Sequence, residues 1–153
     1  MSIYASQAAA RLRRHPVHTL LAPIPFVCFL GTLFTDVVYW RTADMQWANF
    51  SVWMLVAGLV VSVLVVLAGL VDFLADPGLR AQRAAWVHGA GDAVALVLAI
   101  LNAFIHSRDA YTSVVPWGLF LSAVVVVILV AVGWNDRGLV YRAGSGPTAE
   151  DRP

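Results

Sequence analysis

Residues 51–74 read SVWMLVAGLVVSVLVVLAGLVDFL, and no charged residue interrupts them before Asp72. A helix crosses the hydrocarbon core of a bilayer in about 20 residues, so this stretch is long and apolar enough to do so. Three further stretches of similar length share its character. One runs from Val17 to Trp40, with Pro23 and Pro25 delaying or bending its start. The others run from Ala84 to Ile105 and from Val115 to Trp134. The spans are joined by RTADMQWANF (41–50), ADPGLRAQR (75–83) and SRDAYTS (107–113). Connections this short favour an all-α, up-down antiparallel four-helix transmembrane bundle.

Composition agrees with that reading. Of 153 residues, 60% are hydrophobic and 12% charged, and the mean hydropathy is +0.77; soluble domains have about twice that charge. A net charge of +1 with no basic face argues against a nucleic-acid partner. Cys28 is the sole cysteine, which excludes an internal disulfide and a C-x-x-C-H haem attachment. The first apolar run is too long for a cleaved signal and shows no small-residue cleavage site.

Arginines set the expected orientation. Arg11, Arg13 and Arg14 precede the first span, Arg80 and Arg83 fill the second connection, and Arg137 and Arg142 follow the fourth; Arg41 and Arg108 lie on the other side. The positive-inside rule then places both termini in the cytoplasm. Aromatics mark the expected water boundaries: Tyr39, Trp40, Trp47, Tyr111 and Trp117 outside, and Trp86, Trp134 and Tyr141 inside. The expected organisation is a basic segment 1–16, a membrane domain 17–142 and a disordered tail 143–153.

Projected at about 100° per residue, each span carries one stripe of small and polar residues. The first holds His18, Ala22, Phe29, Thr32 and Asp36. The second holds Ser51, Gly58, Ser62, Gly69 and Asp72. The third holds His88, Asp92, Ala95, Ala99, Asn102 and His106, and the fourth Gly118, Ser122, Gly133 and Asp136. Most of this serves helix approach and interhelical hydrogen bonding. Asp92, about two turns inside the third span, needs a partner, and His88 at i−4 is the expected one.

The four histidines divide by depth. His18 and His88 both belong to the cytoplasmic half, where two imidazoles from different helices could hold a b-type haem iron. Gly89, Ala90, Gly91 and Ala22 would leave room for the macrocycle, and Asp92 would accept the other ring N–H of His88. His15, and His106 alone at the outer end, are interfacial residues with a lesser claim to cofactor contact. A mononuclear site from His18, His88 and Asp72 or Asp92 has no diagnostic spacing. Proton relay along His88, Asp92, Asn102 and His106 is a further expectation. No hydrolytic or phosphate-binding motif occurs, and the loops leave no room for a soluble catalytic domain.

The segments HPVHTLLAPIPF (15–26), TDVVYWRTADMQWANFSVWML (35–55), GLVDF (69–73), NAFIHSRDAYTSVVPWGL (102–119) and GWNDRGLVYRAG (133–144) resemble the bacterial four-helix membrane-protein family called domain of unknown function twenty-two thirty-one. The resemblance spans roughly 13–146. It implies a multi-pass protein of the bacterial cytoplasmic (inner) membrane, and a redox setting with protein partners or quinone, because some members resemble membrane parts of quinoprotein, cytochrome c or Rieske systems. His15, Pro16 and His18 match the family's H-P-x-H opening, His88 its third-helix histidine and His106 its H-S-R-D. Asn135 and Asp136 alter the usual final turn, and Ala143 stands where the pattern has a histidine.

Two functions follow as expectations. One is a membrane electron carrier holding haem b through His18 and His88. The other is a non-catalytic subunit or scaffold that packs against partner helices or against further copies of itself.

Overall fold

The computed structural model describes residues 21–108 and 114–144, with side chains to residue 134. Its elements are α1 (Pro23–Thr42), α2 (Met45–Ala75), the single turn α3 (Pro77–Arg80), α4 (Arg83–His106) and α5 (Trp117–Gly144). No strand occurs among the described residues. Four helices are long and apolar enough to cross a membrane, so the all-α four-helix bundle read from hydropathy is the architecture observed.

Prolines and caps mark the start of α1 and the turns around α2 and α3. Pro23 and Pro25 stand in the first turn of α1, where a missing N–H breaks no hydrogen bond. At the other end Ala43 adopts a left-handed conformation, φ 54°, and its N–H bonds the carbonyl of Tyr39 at 2.7 Å. Asp44 then caps α2 by accepting from the Gln46 N–H at 2.9 Å. These two caps reduce the expected ten-residue connection to the pair Ala43–Asp44. At 31 residues, α2 is about 46 Å long, so it overreaches a core of about 30 Å by tilting or protruding. Asp76 caps α3 through the Gly78 N–H at 2.8 Å. The indole of Trp86 donates to the Arg80 carbonyl at 3.0 Å and meets Phe73 edge-on, closing the connection from α3 into α4.

The four long helices form a ring. α1 packs on α2 and α5, and α4 packs on α2 and α5, so α1 and α4 face each other across the diagonal. The apolar core joins Phe29, Leu55, Ala99, Val125 and Val126 from all four. Outward faces carry exposed Phe34, Leu64, Leu67, Val71, Phe104 and Val127, an apolar exterior suited to acyl chains. Of the expected boundary aromatics, Trp40, Trp86, Trp117 and Trp134 are exposed, whereas Tyr39 turns inward and is buried.

Close approach of the helices depends on small residues. A Cβ placed on Gly58 would lie 2.8 Å from the Phe29 ring and 3.0 Å from the Cys28 Cβ. Gly58→Val should therefore destabilise the bundle by about 1–3 kcal/mol through overpacking of the α1–α2 seam. A lowered midpoint in detergent-solubilised thermal unfolding would register this, and an unchanged midpoint would mean that the seam can open freely.

Candidate functional site

Asp36 lies six residues before the end of α1, Ser51 six after the start of α2, Ser122 five after the start of α5, and His106 ends α4. The up-down order brings all four to one depth, near the end that bears the α1–α2 turn. There they form a single buried network. The Asp36 carboxylate is fully buried. Its Oδ1 accepts from the Ser51 hydroxyl and lies 3.0 Å from His106 Nε2, and its Oδ2 accepts from the Ser122 hydroxyl at 2.6 Å. Asn102 Nδ2 donates to Ser122 Oγ at 2.8 Å. Thr35 and Ser51 share a hydrogen bond of 2.7 Å, and Thr35 also reaches the carbonyls of Gly31 and Thr32 at 2.9 Å.

The partners fix the proton count. His106 Nδ1 lies 3.0 Å from the Asn102 carbonyl oxygen, which can only accept, so Nδ1 carries a hydrogen. The Nε2···Oδ1 contact then needs one more hydrogen, held by either atom. As an imidazolium–carboxylate pair or as a neutral imidazole with a carboxylic acid, Asp36 and His106 together have zero net charge. Neutrality makes the pair tolerable here, since an uncompensated buried charge is costly.

Apolar layers close the network on both sides. Towards the turn stand buried Tyr39, Ala48 and Val114, with Trp47 and Val115 against them. On the other side lies the core of Phe29, Leu55, Ala99 and Val125. The crevice between Thr32, Asn102, Ser122 and that core has no room for a water molecule. Asn102 Oδ1 is buried without a hydrogen-bond partner among the described residues.

His106 thus departs from the sequence expectation of a lone interfacial residue. Both its ring nitrogens are engaged, and its ionic partner sits 70 residues away on the diagonal helix. The signal was present in the stripes: Asp36, Ser51, Asn102, His106 and Ser122 all belonged to them, and counting each from its helix end would have matched their depths.

His88 and Asp92 form the expected i, i+4 contact, Nε2 to Oδ2 3.1 Å, with their side chains 33% and 23% exposed. His88 is 18 residues from His106 on the same helix, about 27 Å along its axis, so these are two separate sites. Between Asp92 and Asn102 the buried positions of α4 are Ala95 and Ala99, and no polar side chain on that face continues the expected relay. His15 and His18 lie outside the described residues. α1, which continues the first span, stands diagonal to α4 rather than beside it. Among the described residues no group of three or more His, Cys, Asp or Glu side chains is placed to hold a metal ion.

A ring of four apolar helices tied by an interior polar network defines a multi-pass membrane protein. Comparison with known families agrees: the model of the family described as "Predicted membrane protein (DUF2231)" matches residues 14–149. The chain belongs to that family. No curated protein and no solved structure matches it.

The two ionisable pairs should differ in energetic weight. Asp36→Ala strands His106, Ser51 and Ser122 together and should cost about 3–5 kcal/mol. Asp92→Ala breaks a partly exposed helical pair and should cost under about 1 kcal/mol. Thermal unfolding of both variants beside the wild type tests that order; equal losses would refute it.

Proposed function

We propose that the protein is a non-catalytic membrane subunit or scaffold, a preformed bundle that associates through the half remote from the Asp36 network. One contrast carries this reading. Gly58 and Gly91 are consumed inside the fold, where a Cβ would meet Phe29 or, at 2.4 Å, Val132. Gly89 and Gly133, by contrast, have nothing within 4 Å of an added Cβ, and Ala90 and Ala93 beside Gly89 are exposed as well. Small residues on a lipid-facing surface let another helix approach closely. Arginine placement supports the cytoplasmic (inner) membrane with this half and both termini on the cytoplasmic side.

A b-type haem held by His18 and His88, in a membrane electron carrier, is the second reading. In its favour is the Asp92 carboxylate, which orients the His88 ring beside Gly89, Ala90 and Gly91. Asp92 occupies Nε2, so ligation through that nitrogen requires the ring to turn and offer Nδ1 to Asp92 instead. A bound haem would supply one-electron chemistry. The residues of this chain would contribute the axial nitrogens and the orienting carboxylate.

Two measurements separate the two readings. Gly89→Cys in native membranes should yield a cross-linked adduct, with a second copy or another membrane protein, that Phe104→Cys on the lipid face does not. The purified protein from haem-replete cells should be colourless. Absence of any adduct at residue 89 would overturn the scaffold reading. A Soret band that shifts on reduction and vanishes in His88→Ala would establish the second.

A further inference from the structure

The Asp36–His106 contact joins α1 and α4, which face each other across a diagonal of the ring, and it does so with a single proton. We infer that this contact is a proton-operated latch, holding α1 to α4 only while the pair carries one proton and releasing them when it gains or loses one.

Loss of the proton leaves the Nε2 lone pair facing the Asp36 carboxylate at 3.0 Å, two acceptors with no hydrogen between them and a net charge of −1. Gain of a proton sets an imidazolium against a neutral carboxyl group, with a net charge of +1. In either state the charge is enclosed between two apolar layers, where an uncompensated charge is costly.

Among the described residues no counter-charge faces it. On α1 the other ionisable group nearby is Tyr39, whose hydroxyl lies 3.9 Å from the Met45 sulfur. α2 presents Ser51 at this depth, and its one ionisable side chain, Asp72, lies near the opposite end. α4 contributes His106 itself, with His88 and Asp92 several turns away. α5 contributes Ser122, its charged residues beginning at Asp136. Arg41, Asp44 and Arg108 are exposed at the end of the bundle. With no described group to offset an added charge, separation of the pair towards water relieves it. The cover that must part is Tyr39, Ala48 and Val114, which close the bundle beside the two-residue α1–α2 turn.

The full-length protein in nanodiscs of zwitterionic lipid, titrated from about pH 4 to about pH 10, tests the latch. The wild-type melting temperature should pass through a maximum and fall by several degrees on both sides. Amide exchange at residues 36–42 and 103–108 should quicken about tenfold at both extremes, while residues 52–60 stay protected. Asp36→Asn combined with His106→Gln keeps hydrogen-bonding side chains and removes both groups of the latch, so the fall on either side of the maximum should shrink to the smaller change left by the remaining ionisable groups, His88 and Asp92 among them. Wild-type and double-variant profiles that overlay would overturn the proposal. If the double variant does not fold, nitrogen-15 NMR of histidine-labelled wild type decides alone. His106 protonated at Nδ1 near neutral pH, with exchange quickening as that state is left, supports the latch. A neutral ring protonated only at Nε2, or exchange indifferent to pH, refutes it.

Discussion

The bundle depends on one carboxylate. Asp36 is fully buried, and its two oxygens gather the Ser51 hydroxyl from α2, the His106 ring from α4 and the Ser122 hydroxyl from α5. In lipid no hydrophobic force distinguishes one helix pairing from another, because acyl chains are as apolar as leucine. A polar group that must find its partners inside the protein supplies that discrimination. With Asp36 in place, sliding any of the four helices by one turn would strip the carboxylate of a donor. The network therefore sets the vertical register of the whole ring, in the way that a buried polar residue sets register in a coiled coil.

The two ends of the bundle are built differently. At the α1–α2 end, consecutive caps at Ala43 and Asp44 leave no slack, the polar layer is sealed, and Val114 is packed fully into the cover. At the other end α3 interposes a turn, contacts are aromatic or run through small residues, and His88 and Asp92 remain partly exposed. An asymmetric bundle of this kind has one end committed to its own integrity and another with surface to offer. Membership of the family fixes the setting as a membrane. The functional reading rests on that asymmetry and on which glycines the fold uses internally.

Much of this was legible in the sequence. The number of spans, their antiparallel order and the stripe of small and polar residues on each helix follow from hydropathy and helical periodicity, both sums over neighbouring positions. The i, i+4 contact of His88 with Asp92 follows from the same local geometry. The inward turn of Tyr39 was not legible, because a tyrosine near a helix end suits the lipid interface and a buried cover equally well.

What the chain determined by itself was the class of protein: apolar segments of membrane length with short connections between them admit little other than a helical bundle. The site was decided by tertiary structure. His106 looked solitary in sequence, and it acquired a partner only when the ring order set α4 diagonally opposite α1 and brought the two residues to one depth. Pairing across a diagonal depends on the joint depth of four helices, and no window along a single helix contains that information.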